Sequence, residues 1–263
     1  MKKEEINSVS IIGLGNFGTF ATSLIPKDKG IEIMGNDVRD LEPDPSINKV
    51  SLGKAALADV IVLAVPLERY ETVLKPLSSL IAKDSLLIDV CSVKREPGRL
   101  VKKYLPNHSN ILLTHPFFGP RSARNSLEGH GLAVTFSKGP RAKQIIRLCQ
   151  EFGLEIHHMG ASKHDKLMAK MHALTFFVAR TLEKMGIEDS EAANFIPSYQ
   201  MLLDLSGFSK GSSPDLLRTV QQGNPYAKEA RKRLLDTFHE VEAEFSVGST
   251  ETESPFPYRT MPN

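Results

Sequence analysis

The sequence predicts an α/β fold: a Rossmann-like, mostly parallel sheet domain followed by an all-helical domain. Three observations carry this. Short β-like runs alternate with amphipathic or turn-rich stretches through the first half. The glycine-rich segment GLGNFG stands directly behind the first run. Beyond Ser162 no strand signal remains. Alternation of this kind builds βαβ units around a parallel sheet, because a parallel pair needs a crossover long enough to hold a helix.

The expected strands are Val9–Ile12, Glu32–Met34, Val60–Val65, Leu86–Val90, Ile111–Thr114 and Leu132–Phe136. The runs at 9–12, 60–65, 86–90 and 111–114 are almost wholly apolar, as strands covered on both faces should be. Ser162-Lys163-His164-Asp165 has the S-x-x-D form of a capping box, so a helix should open there and run to Gly186. Its apolar residues Leu167, Met168, Met171, Leu174, Phe177, Val178, Leu182 and Met185 recur at helical spacing on one wide face. Further helices are expected around 190–206, 214–222 and 225–246. The segment GSTETESPFPYRTMPN has little to bury and reads as a tail. The expected division is a dinucleotide-binding domain over 1–160, a helical substrate and dimerisation domain over 161–247, and a flexible tail over 248–263. A homodimer is expected through the apolar first helix of the second domain, where Met168, Met171, Phe176, Phe177 and Val178 need a partner surface.

Bulk properties exclude several classes. The 263 residues hold 33 basic and 31 acidic side chains, a net charge of +2, and no basic block, which argues against nucleic acid or membrane surface as a partner. No apolar stretch approaches a membrane span. The N-terminal MKKEEINSVSIIG mixes acids with bases and lacks a secretory pattern. Cys91 and Cys149 form neither a disulfide framework nor a metal-ligand spacing, so a reducing cytoplasm is the expected compartment and no metal is expected.

The chemistry-bearing residues gather at strand ends, where ligands bind in open α/β sheets. In Gly13-Leu14-Gly15-Asn16-Phe17-Gly18 the first glycine permits a tight turn, the second lets the backbone approach a pyrophosphate, and the third lets helix and strand pack closely. The helix behind this loop favours the phosphate charge at its N-terminus. Asp37, about twenty residues on, suits the ribose hydroxyls and would repel a 2′-phosphate. NAD is therefore expected over NADP, although Arg39 nearby offers a cation for that phosphate. Val65-Pro66 and Ser92 end the next strands and reach the same crevice. Lys94 reads either as a fixed cation for an anionic substrate or as a solvated charge. His115, in THPFFGP, reads as a general base, since an imidazole with a pKa of about 6.5 exchanges protons near neutrality, or as a histidine satisfied by backbone groups. His164 and His172 lie eight apart on one helix; His164, at the helix start, could border the site.

DVCSVK (89–94), THPFFGP (114–120) and KHDKLMAKMHAL (163–174) together resemble the prephenate and arogenate dehydrogenases of tyrosine biosynthesis, from the glycine loop to about residue 245. The helical half, with SYQMLLDL, ARTLEKMGI and SSPDLL, looks most like the plant-type arogenate dehydrogenases. The resemblance implies an NAD(P)-dependent oxidative decarboxylation of a cyclohexadienol. His115 then matches the catalytic histidine on the substrate hydroxyl, and Ser92 a serine near that hydroxyl and the nicotinamide. Two departures fall on substrate recognition. Arg121 stands where the family is often acidic, and Phe208 stands where many bacterial members carry a carboxylate-binding arginine, leaving Lys210 as the nearest cation. Lys94, Arg121, His164 and Lys210 are the expected substrate-binding residues. Two other readings compete: a β-hydroxyacid-type dehydrogenase using Lys166 or Lys170 on the long helix, and a non-catalytic NAD-binding regulator on the same fold.

Overall fold

The computed structural model describes residues 5–40, 44–123, 126–187 and 195–246; the expected tail and the start of the helix expected at 190 lie outside them. Among the described residues a single sheet of eight strands has the order β3-β2-β1-β4-β5-β6-β7-β8. The strands are β1 (Ser8–Ile12), β2 (Glu32–Asn36), β3 (Asn48–Lys49), β4 (Val60–Leu63), β5 (Leu86–Asp89), β6 (Asn110–Pro116), β7 (Gly131–Lys138) and β8 (Glu155–His158). Every pairing is parallel except β6 with β7. All six expected strands form. β3 and β8 are additions, each short and on an edge, with half or more of its residues exposed, so neither carries a continuous apolar signal.

Between strands run α1 (Asn16–Ser23), α2 (Leu52–Ala55), α3 (Tyr70–Leu80), α4 (Arg95–Tyr104) and α5 (Pro140–Glu151). Neighbouring side chains along a strand point to opposite faces, so two cores result. Ile12, Leu63, Ile111 and Leu113 pack with Leu74, Leu77 and Leu100 of α3 and α4. Ile11, Val60, Leu112 and Val134 pack on the other face with Ala142 and Ile146 of α5. Strand order reverses between β1 and β4, which puts the switch-point crevice at Gly13 and Ala64.

The helical half begins with α6 (Ala161–Met168), passes through a π-turn at Ala169–Ala173, and continues as α7 (Leu174–Met185), closed by Gly186 at φ +73. Then come α8 (Pro197–Lys210), α9 (Pro214–Arg218) with a second π-turn (Thr219–Gly223), and α10 (Ala227–Ser246). The expected apolar face is corrected here. The π-turn inserts one residue and rotates the remainder of the helix, so the buried line runs through Met168, Ala173, Phe176 and Ala179. Leu167, Met171 and Met185 face outward at 37%, 57% and 71% exposure. The capping box does not form either. Gly160 caps α6 without a side chain, Ser162 bonds the Tyr226 hydroxyl, and the Asp165 carboxylate turns toward the sheet.

Candidate active site

The glycine loop is built as a cradle. Gly13 sits at φ +98, and a Cβ there would lie 2.5 Å from the Ala64 carbonyl oxygen. A Cβ on Gly18 would lie 1.8 Å from the Gly13 carbonyl oxygen, so both positions demand glycine. A Cβ on Gly15 meets nothing nearer than the Arg39 guanidinium at 4.0 Å. The middle glycine therefore faces open space, where a pyrophosphate approaches, and α1 begins there with no side-chain cap on its free N–H groups. Leu14 is buried and Asn16 exposed; Phe17 packs edge-on against Phe20 at 5.8 Å. Val65 and Pro66 line the loop after β4, with a Val65 methyl 2.9 Å from the same Gly13 Cβ position. The residues fit a dinucleotide, and this is an NAD(P)-binding site.

Asp37 is not a free acid. Its carboxylate accepts the Leu14 N–H at 2.8 Å, tying it to the loop, and Arg39 clamps it through Nε at 3.0 Å and Nη2 at 2.9 Å. The Arg39 guanidinium is the largest cause that holds the Asp37 pKa at about 2.

His115 lies inside β6 opposite Ala133, on the face shared with Ile111 and Leu113, and is 5% exposed. Its Nδ1 lies 2.9 Å from His164 Nε2, and His164 Nδ1 lies 2.8 Å from the Asp165 carboxylate. Asp165 in turn accepts the backbone N–H groups of Lys94 at 2.8 Å and Arg95 at 2.9 Å. Donors and acceptors then fix the tautomers. A carboxylate accepts, so His164 carries its proton on Nδ1 and offers a lone pair at Nε2. His115 must then donate from Nδ1, which leaves its Nε2 bare. Burial, then the charges His172, His164 and Lys94 can carry, hold the His115 pKa well below the usual imidazole value.

An aromatic wall surrounds this nitrogen. Phe117 meets His115 edge-on at 5.2 Å and stacks on His164 at 6.4 Å. His172 stacks on His115 at 5.6 Å, Phe176 tilts onto His172 at 4.8 Å, and Phe208 tilts onto Phe176 at 4.8 Å. Arg121 crosses from the loop after β6 and donates to the Phe208 carbonyl at 3.2 Å. Lys210 is exposed on the last turn of α8, next to Gly211, on which the Arg121 guanidinium packs. Ser92 is half-buried at the bend after β5.

Lys94 corrects the sequence reading. Its side chain is fully buried, its ammonium bound to the Asp89 carboxylate and the Thr114 carbonyl, so it offers no cation to the crevice. Lys166 and Lys170 are the candidates for a β-hydroxyacid-type reaction. Both are exposed, and Lys166 lies over the Tyr226 ring at 5.5 Å. Sequence reasoning missed Asp165, taken as a cap, left His172 and Phe117 without a role, and gave Phe176 only to a packing surface. Among the described residues no three His, Cys, Asp or Glu side chains are arranged to hold a metal ion.

The family described as prephenate dehydrogenase, nucleotide-binding domain, matches residues 38–157. Arogenate dehydrogenase 2, chloroplastic, of Arabidopsis thaliana is 29% identical over 263 aligned residues, covering 92% of this chain and 71% of that protein. Residues 38–157 thus belong to the prephenate dehydrogenase nucleotide-binding domain family, and the chain as a whole is similar to arogenate and prephenate dehydrogenases. That family is one of oxidoreductases. A probable arogenate/prephenate dehydrogenase of Methanocaldococcus jannaschii is 25% identical, over 89% of this chain and 56% of that protein. The crystal structure of A. aeolicus prephenate dehydrogenase in complex with hydroxyphenyl propionate and NAD+ superposes with a TM-score of 0.70 at 22% identity, covering 94% of each chain. At that identity the likeness establishes the shared fold.

Proposed function

We propose that this chain catalyses the oxidative decarboxylation of prephenate or arogenate, with His115 as general base. The observation that carries this reading is the bare Nε2 of His115, fixed by His164 and Asp165 at the carboxyl end of β6. The sheet half through residue 160 holds the cofactor, and the helical half over 161–247 closes on the substrate. A dinucleotide held with its pyrophosphate at the glycine cradle would supply the hydride acceptor through its nicotinamide. As the hydride leaves C4, the C4 hydroxyl becomes a strongly acidic protonated dienone, so even a weak base takes its proton. His115 Nε2 receives it, and Ser92 orients the hydroxyl. The C1–carboxylate bond breaks, its electron pair enters the ring as carbon dioxide leaves, and the resulting phenolate takes the proton back from the His115 imidazolium to give the phenol. His164 and Asp165 face the imidazolium so formed and spread its charge away from the cofactor.

Arg121 is the group we assign to the side-chain carboxylate. It replaces, from the other side of the crevice, the arginine expected where Phe208 stands, and Lys210 adds charge at the same helix end. Gly211 tests this. A Cβ there would collide with the Arg121 guanidinium at 0.8 Å, a flexible tip that can swing away, and the Gly211 backbone at φ −94 accepts alanine. Gly211→Ala is expected to raise the Michaelis constant for substrate several-fold without changing that for NAD; an unchanged substrate constant removes Arg121 from the site.

NAD remains the proposed cofactor. Asp37 sits at the ribose position, but its pairing with Arg39 makes the preference narrower than a free carboxylate would give. One experiment tests function and cofactor together: formation of reduced cofactor with prephenate and arogenate, each with NAD and NADP. No turnover of either substrate rejects the function, and a preference for NADP rejects the cofactor.

We also infer a homodimer, now on α10 rather than on the first helix of that half. Leu235, Phe238, Val241 and Phe245 form an exposed stripe, 44–78% accessible, along α10. A monomer by light scattering at micromolar concentration rejects it. No helix among the described residues is long and apolar enough to cross a membrane. Cys91 and Cys149 are free thiols.

A further inference from the structure

His172 is the one histidine of the wall that the proposed reaction leaves without a task. It sits in the π-turn Ala169–Ala173, which swings it out of the register of an unbroken α-helix and stacks it on His115. Isolated π-turns interrupt α-helices most often at functional sites. This one is held from outside. Gln221, in the second π-turn, donates to the Ala173 carbonyl at 2.7 Å, and Arg231 holds Gln221 through two contacts at 2.8 Å and 2.7 Å. The ring is partly buried against His115 and Phe176. Among the described residues, neither ring nitrogen has a hydrogen-bond partner. The ring faces are covered while its unpaired nitrogens stay accessible, where a ligand entering the crevice can meet them.

We propose that His172 donates a hydrogen bond to the ring carboxylate that departs as carbon dioxide. This rests on the proposed cyclohexadienol reaction and adds the group that recognises the substrate's second anion. His172 comes next to His115 along the wall, and Phe176 and Phe208 carry that wall on to Arg121, so the order of groups matches C4 hydroxyl, ring carboxylate, side-chain carboxylate. The charge state suits the task. Burial foremost, with the charge that His164 can carry, brings the His172 pKa down to about 4, so the ring is a neutral donor at working pH. A fixed cation would stabilise a carboxylate whose charge vanishes in the reaction, and such ground-state binding raises the barrier. A neutral N–H orients the group with less of that penalty. The buried ammonium of Lys94 leaves the same role open.

The test compares two ligands. Substrate carries the ring carboxylate; 4-hydroxyphenylpropionate, a product-like phenol, lacks it. His172→Phe keeps the aromatic wall and removes the donor. The expected result is a rise of roughly ten- to a hundredfold in the Michaelis constant for substrate, the worth of one hydrogen bond to a charged group. Binding of 4-hydroxyphenylpropionate to the enzyme–NAD complex should stay within about twofold. His172→Gln, which restores a donor, should recover most of the loss, and Gln221→Leu, which frees the π-turn, should show a weaker loss of the same kind. Equal weakening of both ligands, or of neither, overturns the proposal. If the unaltered protein turns over neither prephenate nor arogenate, the functional reading itself has failed, and that is seen before any variant is made.

Discussion

Replacing His115 with asparagine is expected to lower turnover by at least about a hundredfold, the lower end of what general-base catalysis contributes. Asparagine fits the space and can still accept from the substrate hydroxyl, so Michaelis constants for NAD and substrate should move far less. A transition-state role and a binding role separate on that contrast. The pH profile adds a second readout. His115 is surrounded by His164 and His172 from the helical half and by Lys94 from beneath, and burial itself disfavours its cation. Its pKa therefore lies well below 6.5, and the lone pair on Nε2 is free throughout the neutral range. Protonation fills that lone pair, so kcat/KM should be level near neutrality and fall only as pH drops through the lowered His115 pKa. The asparagine variant should lack that acid limb. Near-normal turnover with a raised substrate Michaelis constant makes His115 a binding group and ends the general-base assignment.

The parts of this site that the sequence displayed are those set by the chain's local order. The glycine spacing, the apolar runs of β4, β5 and β6, and the placing of Ser92 and His115 just at or beyond strand ends all come from period, turn chemistry and the rule that crevices open at the carboxyl edge. What stayed hidden depends on partners distant in sequence. The Ser162…Asp165 spacing is the same whether the acid caps its own helix or, as here, reaches the N–H groups of Lys94 and Arg95, 71 and 70 positions away. Lys94 carries no local sign that its ammonium turns inward. His172 enters the crevice because a π-turn rotates the helix, and an apolar pattern written at 3.6 residues per turn cannot reveal one inserted residue. Phe177, expected on the inner face, gives way to Phe176 for the same reason.

Lys94→Met is expected to be the most destabilising of these changes while leaving substrate recognition nearly intact. The Lys94 and Asp89 side chains are both fully buried. The ammonium joins the Asp89 carboxylate to the Thr114 carbonyl, while Asp89 also accepts from the Tyr70 hydroxyl and from the Cys91 N–H at 3.0 Å. Thr114 Oγ1 donates back to the Asp89 carbonyl at 2.7 Å, so the ends of β5 and β6 are pinned one residue before His115. Methionine fills much of the stem's volume but leaves the carboxylate buried with neutral donors alone. Removing one partner of a buried pair typically costs roughly 3–5 kcal/mol, and in a chain of this size that is a melting-point loss on the order of 10 °C. Adding Asp89→Asn removes the stranded charge while keeping an acceptor for Tyr70, and should restore a good part of the loss. Thermal unfolding of the three proteins at neutral pH is the measurement. A Lys94→Met protein that melts like the parent yet binds substrate many-fold more weakly puts the ammonium in the crevice, contrary to its burial here.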